Sequence, residues 1–242
     1  MYKNYVFDLY GTLIDIHTNE SNANLWKKMQ EFYAFQGAEY SWKELREGYE
    51  CLCREQEEKI KKKISDYPEI QVEYVFQKLF SNKGVKVNLE TARLTAQFFR
   101  ITSTKYIKLY DGVIDFLKEL KSKGKKVYLL SNAQKCFTEK EFLMMGLGEY
   151  FDGTVYSSEE QCKKPGKRFF DIVLERYNLD KKETIMIGND WISDIEGANK
   201  AGIDSLYIHT NISPADTVLD NVNAKFIIED GDFCKVSPLI LE

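Results

Sequence analysis

The stretch Tyr5-Val6-Phe7-Asp8-Leu9-Tyr10-Gly11-Thr12-Leu13-Ile14-Asp15 decides the fold of this chain. Its apolar and aromatic start reads as a buried strand, placed over residues 3–10, that delivers one carboxylate, Asp8, into a Gly-Thr turn. An isolated charge at the end of a buried strand is costly unless it is paired or used. Asp8 is therefore the first candidate functional residue, and the residues that face it have to come from later in the chain.

Working outward, the pattern turns helical from about residue 20 to residue 104. Apolar residues recur at three- and four-residue spacing: Leu25, Met29, Phe32 and Phe35, then Trp42, Leu45, Tyr49 and Leu52, then Tyr74, Phe76, Leu79 and Phe80, then Leu94, Phe98 and Ile101. Pro68 is expected to open one helix at its first turn and Asn88 to cap the start of another. From Asp111 onward helices and strands alternate. Lys126 to Leu130 reads as a strand ending in Ser131-Asn132, Gln134 to Met145 as a helix, and Gly153 to Tyr156 as a short strand. Arg168 to Tyr177 reads as a helix, Thr184 to Ile187 as a strand, and Ile192 to Ala201 as a helix ending at Gly202. Ser205 to Ile208 and Phe226 to Ile228 complete the strands.

Strands alternating with helices imply an α/β fold with a parallel sheet covered on both faces, a Rossmann-like doubly wound core. The layout is discontinuous: residues 1–16 and 108–242 form the core, and residues 17–107 an inserted all-helical cap. An insertion after the first strand lies over the edge where open α/β sheets bind ligands, so the cap is expected to act as a lid.

Composition narrows the function classes. With 242 residues, 43% of them hydrophobic, the chain can bury a sizeable core plus a smaller module. A net charge of −4 gives no general attraction to nucleic acid. The run Lys59-Ile60-Lys61-Lys62-Lys63 follows Glu55, Glu57 and Glu58 and reads as one end of a charged helix. No apolar run has membrane-spanning length, and the first strand starts too soon after Met1 for a leader peptide. The five cysteines (Cys51, Cys53, Cys136, Cys162 and Cys234) are odd in number and scattered, which fits a reducing compartment such as the cytoplasm. A monomer or homodimer is expected.

Four polar strand ends recur in order: Asp8, then Ser131, then Lys164 before Pro165, then Asp190 and Asp194 after Ile187-Gly188-Asn189. This series, with a helical insertion directly after the first motif, resembles the haloacid dehalogenase superfamily, in the subgroup of phosphoglycolate phosphatase, β-phosphoglucomutase and the 2-haloacid dehalogenases. The resemblance implies Asp8 as a nucleophile that forms a covalent ester, and a small phosphate ester as substrate. It implies Mg²⁺ held by Asp8, the backbone carbonyl of Tyr10 and Asp190, with Asp194 orienting that shell. Asn189 is an alternative to Asp190, because the family tolerates two spacings; the charge of Asp190 favours it. Thr12, Ser131 and the backbone N–H groups of Gly11 and Asn132 would hold the transferring oxygens, with Lys164 neutralising their charge.

Position 10 departs from the phosphatase pattern. The superfamily's phosphatases place there the Asp that protonates the leaving oxygen; this chain has Tyr10, and a phenol with a pKa of about 10 does not exchange protons near neutrality as a carboxyl does. Asp-x-Tyr-Gly-Thr-Leu is the form found in metal-free 2-haloacid dehalogenases, which makes that reaction the rival. Against it, Trp26-Lys27 comes too early for the dehalogenase cap motif, Glu39-Tyr40 stands near the expected Arg, Phe170 stands where a Tyr would fall, and Asp190 keeps a carboxylate. A third reading is a catalytically weak member that binds a phosphometabolite or a protein. Asp15 and His17 lie just beyond the turn, within possible reach of the site on a flap.

Overall fold

Tyr5 and Phe7 point to one face of a sheet and Val6 to the other, and all three are fully buried, so the first strand lies in the middle of a covered sheet. The computed structural model describes residues 2–241. The opening elements are β1 (Asn4–Phe7) and β2 (Ile14–Thr18), followed by the helices α1 (Ala23–Phe35), α2 (Trp42–Lys63), α3 (Val72–Asn82) and α4 (Leu89–Ser103). Then come β3 (Thr104–Leu109), α5 (Val113–Ser122), β4 (Lys126–Ser131), α6 (Lys135–Met144), β5 (Gly153–Tyr156), α7 (Ser157–Glu160) and α8 (Lys167–Arg176). The chain closes through β6 (Thr184–Gly188), a π-helical turn (Trp191–Glu196), α9 (Gly197–Ala201), β7 (Asp204–Ile208), β8 (Phe226–Ile228) and α10 (Val236–Ile240).

Six strands form one parallel sheet in the order β5-β4-β1-β6-β7-β8. In register, Tyr5 stands opposite Val127 on one side and Ile185 on the other. The strand order reverses about β1, so the ends of β1, β4 and β6 border the crevice where such sheets bind ligands. One apolar layer contains Phe7, Leu129 and Ile187; the opposite layer contains Val6, Leu130 and Met186.

Helices α1 to α4 enclose a separate apolar cluster that includes Trp26, Tyr33, Phe76, Phe80 and Phe99. The rings of Tyr33 and Phe80 stack at 4.1 Å between centroids. Burying each such side chain contributes about 1.5–3 kcal/mol. Helix α2 starts with a capping box, the Glu44 N–H donating to Ser41 Oγ at 3.2 Å, and ends on Lys61, Lys62 and Lys63, which complement the helix dipole. Asn88 caps α4 through its side chain, accepting from the Thr91 N–H at 2.8 Å.

Three local expectations are corrected. Pro68 opens no helix: Tyr67 accepts from the Lys163 N–H at 3.0 Å and Pro68 bridges Cys162, so this segment pairs with the loop before Lys164, and α3 starts only at Val72. Ile192 to Ala201 is not one α-helix. The Asp190 carbonyl accepts from both Asp194 N at 2.9 Å and Ile195 N at 3.4 Å, which widens the first turn into a π-turn. Finally, β2 and β3 form an antiparallel ribbon pairing Ile16 with Ile107, and it joins the sheet to the helices where the sequence suggested a simple boundary.

Candidate active site

Asp8 lies one residue beyond β1, held in line by its N–H donating to the Ile187 carbonyl at 3.0 Å. Its Oδ1 is 2.7 Å from Lys164 Nζ, and the same ammonium is 2.7 Å from Asp194 Oδ1. Burial alone would lower the Lys164 pKa, but Asp194 and Asp8 outweigh it and hold it above its ordinary value. Burial pushes the Asp194 carboxyl up, opposed by Lys164 and reinforced by Asp8. Two carboxylates thus share one fixed cation in a nearly dry position.

Local backbone geometry makes this trio possible. Gly188 ends β6 so closely against Asp194 that a Cβ there would overlap the carboxylate. The other Asp194 oxygen accepts from the Asp190 N–H at 3.0 Å, a fold-back that the π-turn permits. Gly11 sits at φ +90 against the Asn189 side chain, so its missing Cβ serves both the left-handed turn and the close approach.

A cavity of about 250 Å³ opens in front of Asp8 and is bordered by Tyr10, Ser131, Asn132, Lys164, Asn189, Asp190 and Asp194. Ser131 lines the cavity, and its Oγ is buried without a hydrogen-bond partner among the described residues, a polar group left free to bond a ligand. The Asn132 side chain accepts from the Lys164 N–H at 2.8 Å and donates to its carbonyl at 3.1 Å, which fixes the lysine loop. Ser193, Ile212 and Pro214 also line the cavity; no motif in the sequence marks them.

Other sequence candidates occupy different places. The Gly11 N–H, expected to face a ligand, donates instead to the Ile14 carbonyl at 2.8 Å, as the tight turn requires. Thr12 is fully buried behind Asp8, with its hydroxyl 3.1 Å from Asp8 Oδ2 and 3.3 Å from Asn189 Oδ1. Asp15 does not reach the cavity: on β2 it accepts from Tyr106 Oη and Asn211 Nδ2, each at 3.1 Å. His17 is exposed beside the Tyr106 ring, 6.0 Å away.

Tyr10 borders the cavity but its hydroxyl points elsewhere. It hydrogen-bonds Glu141 and lies 3.1 Å from Thr138 Oγ1, both on α6. Glu141 in turn takes a two-pronged contact from Arg100 of α4, at 2.7 Å and 3.1 Å, and the guanidinium lies 5.0 Å from the Tyr10 ring centroid. Burial drives the phenol pKa well up, only partly opposed by Arg100, so Tyr10 stays neutral. Tyr10 is thereby a link in a clasp that ties the turn after β1 to α4 and α6. Sequence reading missed Arg100 and Glu141, each of which looks like an ordinary helical charge.

The donor set can be weighed against a divalent cation. Asp8, the Tyr10 carbonyl, Asp190 and the Asn189 amide oxygen are all hard oxygen donors, which fits Mg²⁺ in kind. Asp190 commits one oxygen to the N–H groups of Ile192 and Ser193, both at 2.9 Å, and leaves the other for the cavity. The charge is sparse: among the described residues no three acidic, His or Cys side chains cluster as a metal site by themselves.

Residues 2–202 match the family model of the haloacid dehalogenase-like hydrolases. A glyceraldehyde 3-phosphate phosphatase of Methanothermobacter thermautotrophicus is 30% identical over 46% of this chain and 49% of its own length. The chain spans about half the length of the curated relatives it matches. A haloacid dehalogenase-type phosphatase from Thermococcus onnurineus superimposes with a TM-score of 0.60 at 18% identity, covering 98% of this chain and 97% of that one. A dehalogenase captured with an intermediate gives 0.61 at 16% identity, covering 100% and 98%. The fold is thus common to both chemistries and does not choose between them.

Proposed function

The chain belongs to the haloacid dehalogenase-like hydrolases, and from that premise we propose that it hydrolyses small phosphate monoesters through Asp8. The observation that carries this reading is one cavity lined by Asp8, by Lys164 paired to it at 2.7 Å, and by Ser131, whose hydroxyl has no partner among the described residues. The phosphatase relative points to the same ester class.

In this mechanism an Asp8 oxygen attacks phosphorus, the bond from phosphorus to the leaving oxygen breaks, and an aspartyl-phosphate forms. Water then attacks that phosphorus, releasing inorganic phosphate and restoring the Asp8 carboxylate. Ser131 donates to a phosphoryl oxygen, and Lys164 offsets charge that builds there. Asn132 positions Lys164, and Thr12 orients Asp8 from behind. Mg²⁺, when bound by Asp8, the Tyr10 carbonyl and Asp190, with Asn189 as a further donor and Asp194 behind them, would screen the substrate dianion from the nucleophile. Tyr10 supplies no proton, so turnover falls by about 10²–10⁴-fold on leaving groups that need one. The preferred substrates are esters whose alcohol leaves readily. The five unpaired cysteines are compatible with a reducing compartment such as the cytoplasm, and no helix among the described residues is long and apolar enough to cross a membrane.

The test is a phosphate-ester panel with Mg²⁺ and with EDTA. Slow, Mg²⁺-stimulated hydrolysis of p-nitrophenyl phosphate is expected, abolished by Asp8→Asn; activity that survives Asp8→Asn would overturn the reading. The neutral amide of Asn189, which shares the Thr12 hydroxyl with Asp8, and the proton-inert Tyr10 favour one rival, metal-free displacement of halide from carbon. Halide release from 2-chloropropionate without added metal would establish it. Ligand-dependent thermal stabilisation with no turnover on either panel would assign a binding role instead.

A further inference from the structure

Arg100 and Glu141, the pair that grips Tyr10, also line a second cavity, of about 400 Å³, between α4, β3 and α6. Its walls are apolar: Ile101, Ile107, Phe137 and Met144 face it, with the Tyr106 ring at one side. Ile101 is 74% exposed and Met144 64%, two apolar side chains left open to water at one groove on adjoining helices. The rim carries Lys105 and Lys140, both exposed and neither in an ion pair among the described residues. The one acid in the lining, Glu141, is neutralised by Arg100. The hollow is thus apolar within and cationic at its edge.

We propose that this groove is a binding site for a small amphipathic anion, an apolar chain or ring carrying one carboxylate or phosphate head. The size of the cavity suits such a molecule, and a few polar groups around an apolar hollow are the usual make-up of a ligand site. Charge selects the occupant: two unpaired lysines attract an anionic head and disfavour a cationic one. The occupant would rest against the Arg100–Glu141 pair, one side chain removed from the catalytic cavity. The site stands independently of the phosphatase reading, because none of its residues touches the transferring group.

Decanoate serves as the probe and decanol as its uncharged counterpart, measured by calorimetry on the full chain. Saturable one-to-one binding of decanoate is expected, at least about tenfold tighter than decanol. Ile101→Glu and the double variant Lys105→Glu/Lys140→Glu, all at exposed positions, should each weaken it by about tenfold or more. Asp8→Asn and added inorganic phosphate should leave it unchanged, which separates this site from the catalytic cavity. Absence of saturable binding, equal affinity for decanol, or insensitivity to the groove variants would overturn the proposal. So would light scattering that shows a dimer dissociated by Ile101→Glu, because the groove would then be covered by a second copy.

Discussion

Removing Arg100 should weaken the whole protein more than any surface charge does. Its guanidinium contacts Glu141 at 2.7 Å and 3.1 Å, and the two side chains are only 10% and 12% exposed. Arg100→Ala leaves Glu141 charged, buried and tied only to Tyr10 and its helix, and breaking such a pair costs about 3–5 kcal/mol. The Tyr10 and Phe137 rings, each 5.0 Å from the guanidinium, lose a cation–π contact worth about 0.5–2 kcal/mol apiece, part of which is already counted in the pair. For a chain of this size each kcal/mol moves the melting temperature by about 2–4 °C, so a fall of roughly 10 °C is expected. The assay is thermal and urea unfolding of the wild type, Arg100→Ala, the single variants Arg100→Met and Glu141→Leu, and the double variant Arg100→Met/Glu141→Leu. The double variant should recover most of the loss, because apolar replacement removes the stranded charge. A single-variant loss below about 1 kcal/mol, or a double-variant loss equal to the sum of the singles, would refute the clasp.

Three further outcomes follow from the same geometry. Ser131→Ala should leave unfolding within about 0.5 kcal/mol of wild type, since its hydroxyl has no partner among the described residues, while turnover measured by phosphate release falls about 10²–10³-fold. Lys164→Met should abolish turnover and cost about 3–5 kcal/mol by urea unfolding, because Asp8 and Asp194 lose their shared cation. Tyr10→Asp should raise the rate on alkyl phosphates relative to p-nitrophenyl phosphate by up to about 10²-fold; an unchanged ratio from steady-state kinetics would mean that another group already transfers the proton.

The sheet was legible because its strands carry the pattern that buried parallel strands require. Val6, Leu130 and Met186 are apolar and so are their neighbours on the opposite face, a signal that survives without any tertiary knowledge. The meeting of Asp8 and Ser131 was legible for a related reason: parallel strands bring their carboxyl ends to one edge. Lys164, beyond α7, and Asp194, inside the π-turn, lie past the strand ends, and only the order of motifs in the resemblance pointed to them. The clasp was not legible. Arg100 and Glu141 are 41 residues apart and sit on different helices, and nothing local distinguishes a buried ion pair from two solvated charges. The ribbon was hidden because Ile14 and Ile16 against Ile107 and Leu109 give only two apolar steps per strand. Pro68 misled because its segment found partners in a distant loop, which outweighed its helix-starting preference.

Whether Asp8 becomes covalently modified is the most direct question to put to this protein. Mass spectrometry of the acid-quenched enzyme during turnover of p-nitrophenyl phosphate, followed by peptide mapping, should find one added phosphoryl group on the peptide bearing Asp8, and none in Asp8→Asn. Steady phosphate release from the wild type with no phosphoryl group on that peptide, or a phosphorylated residue elsewhere, would contradict the account.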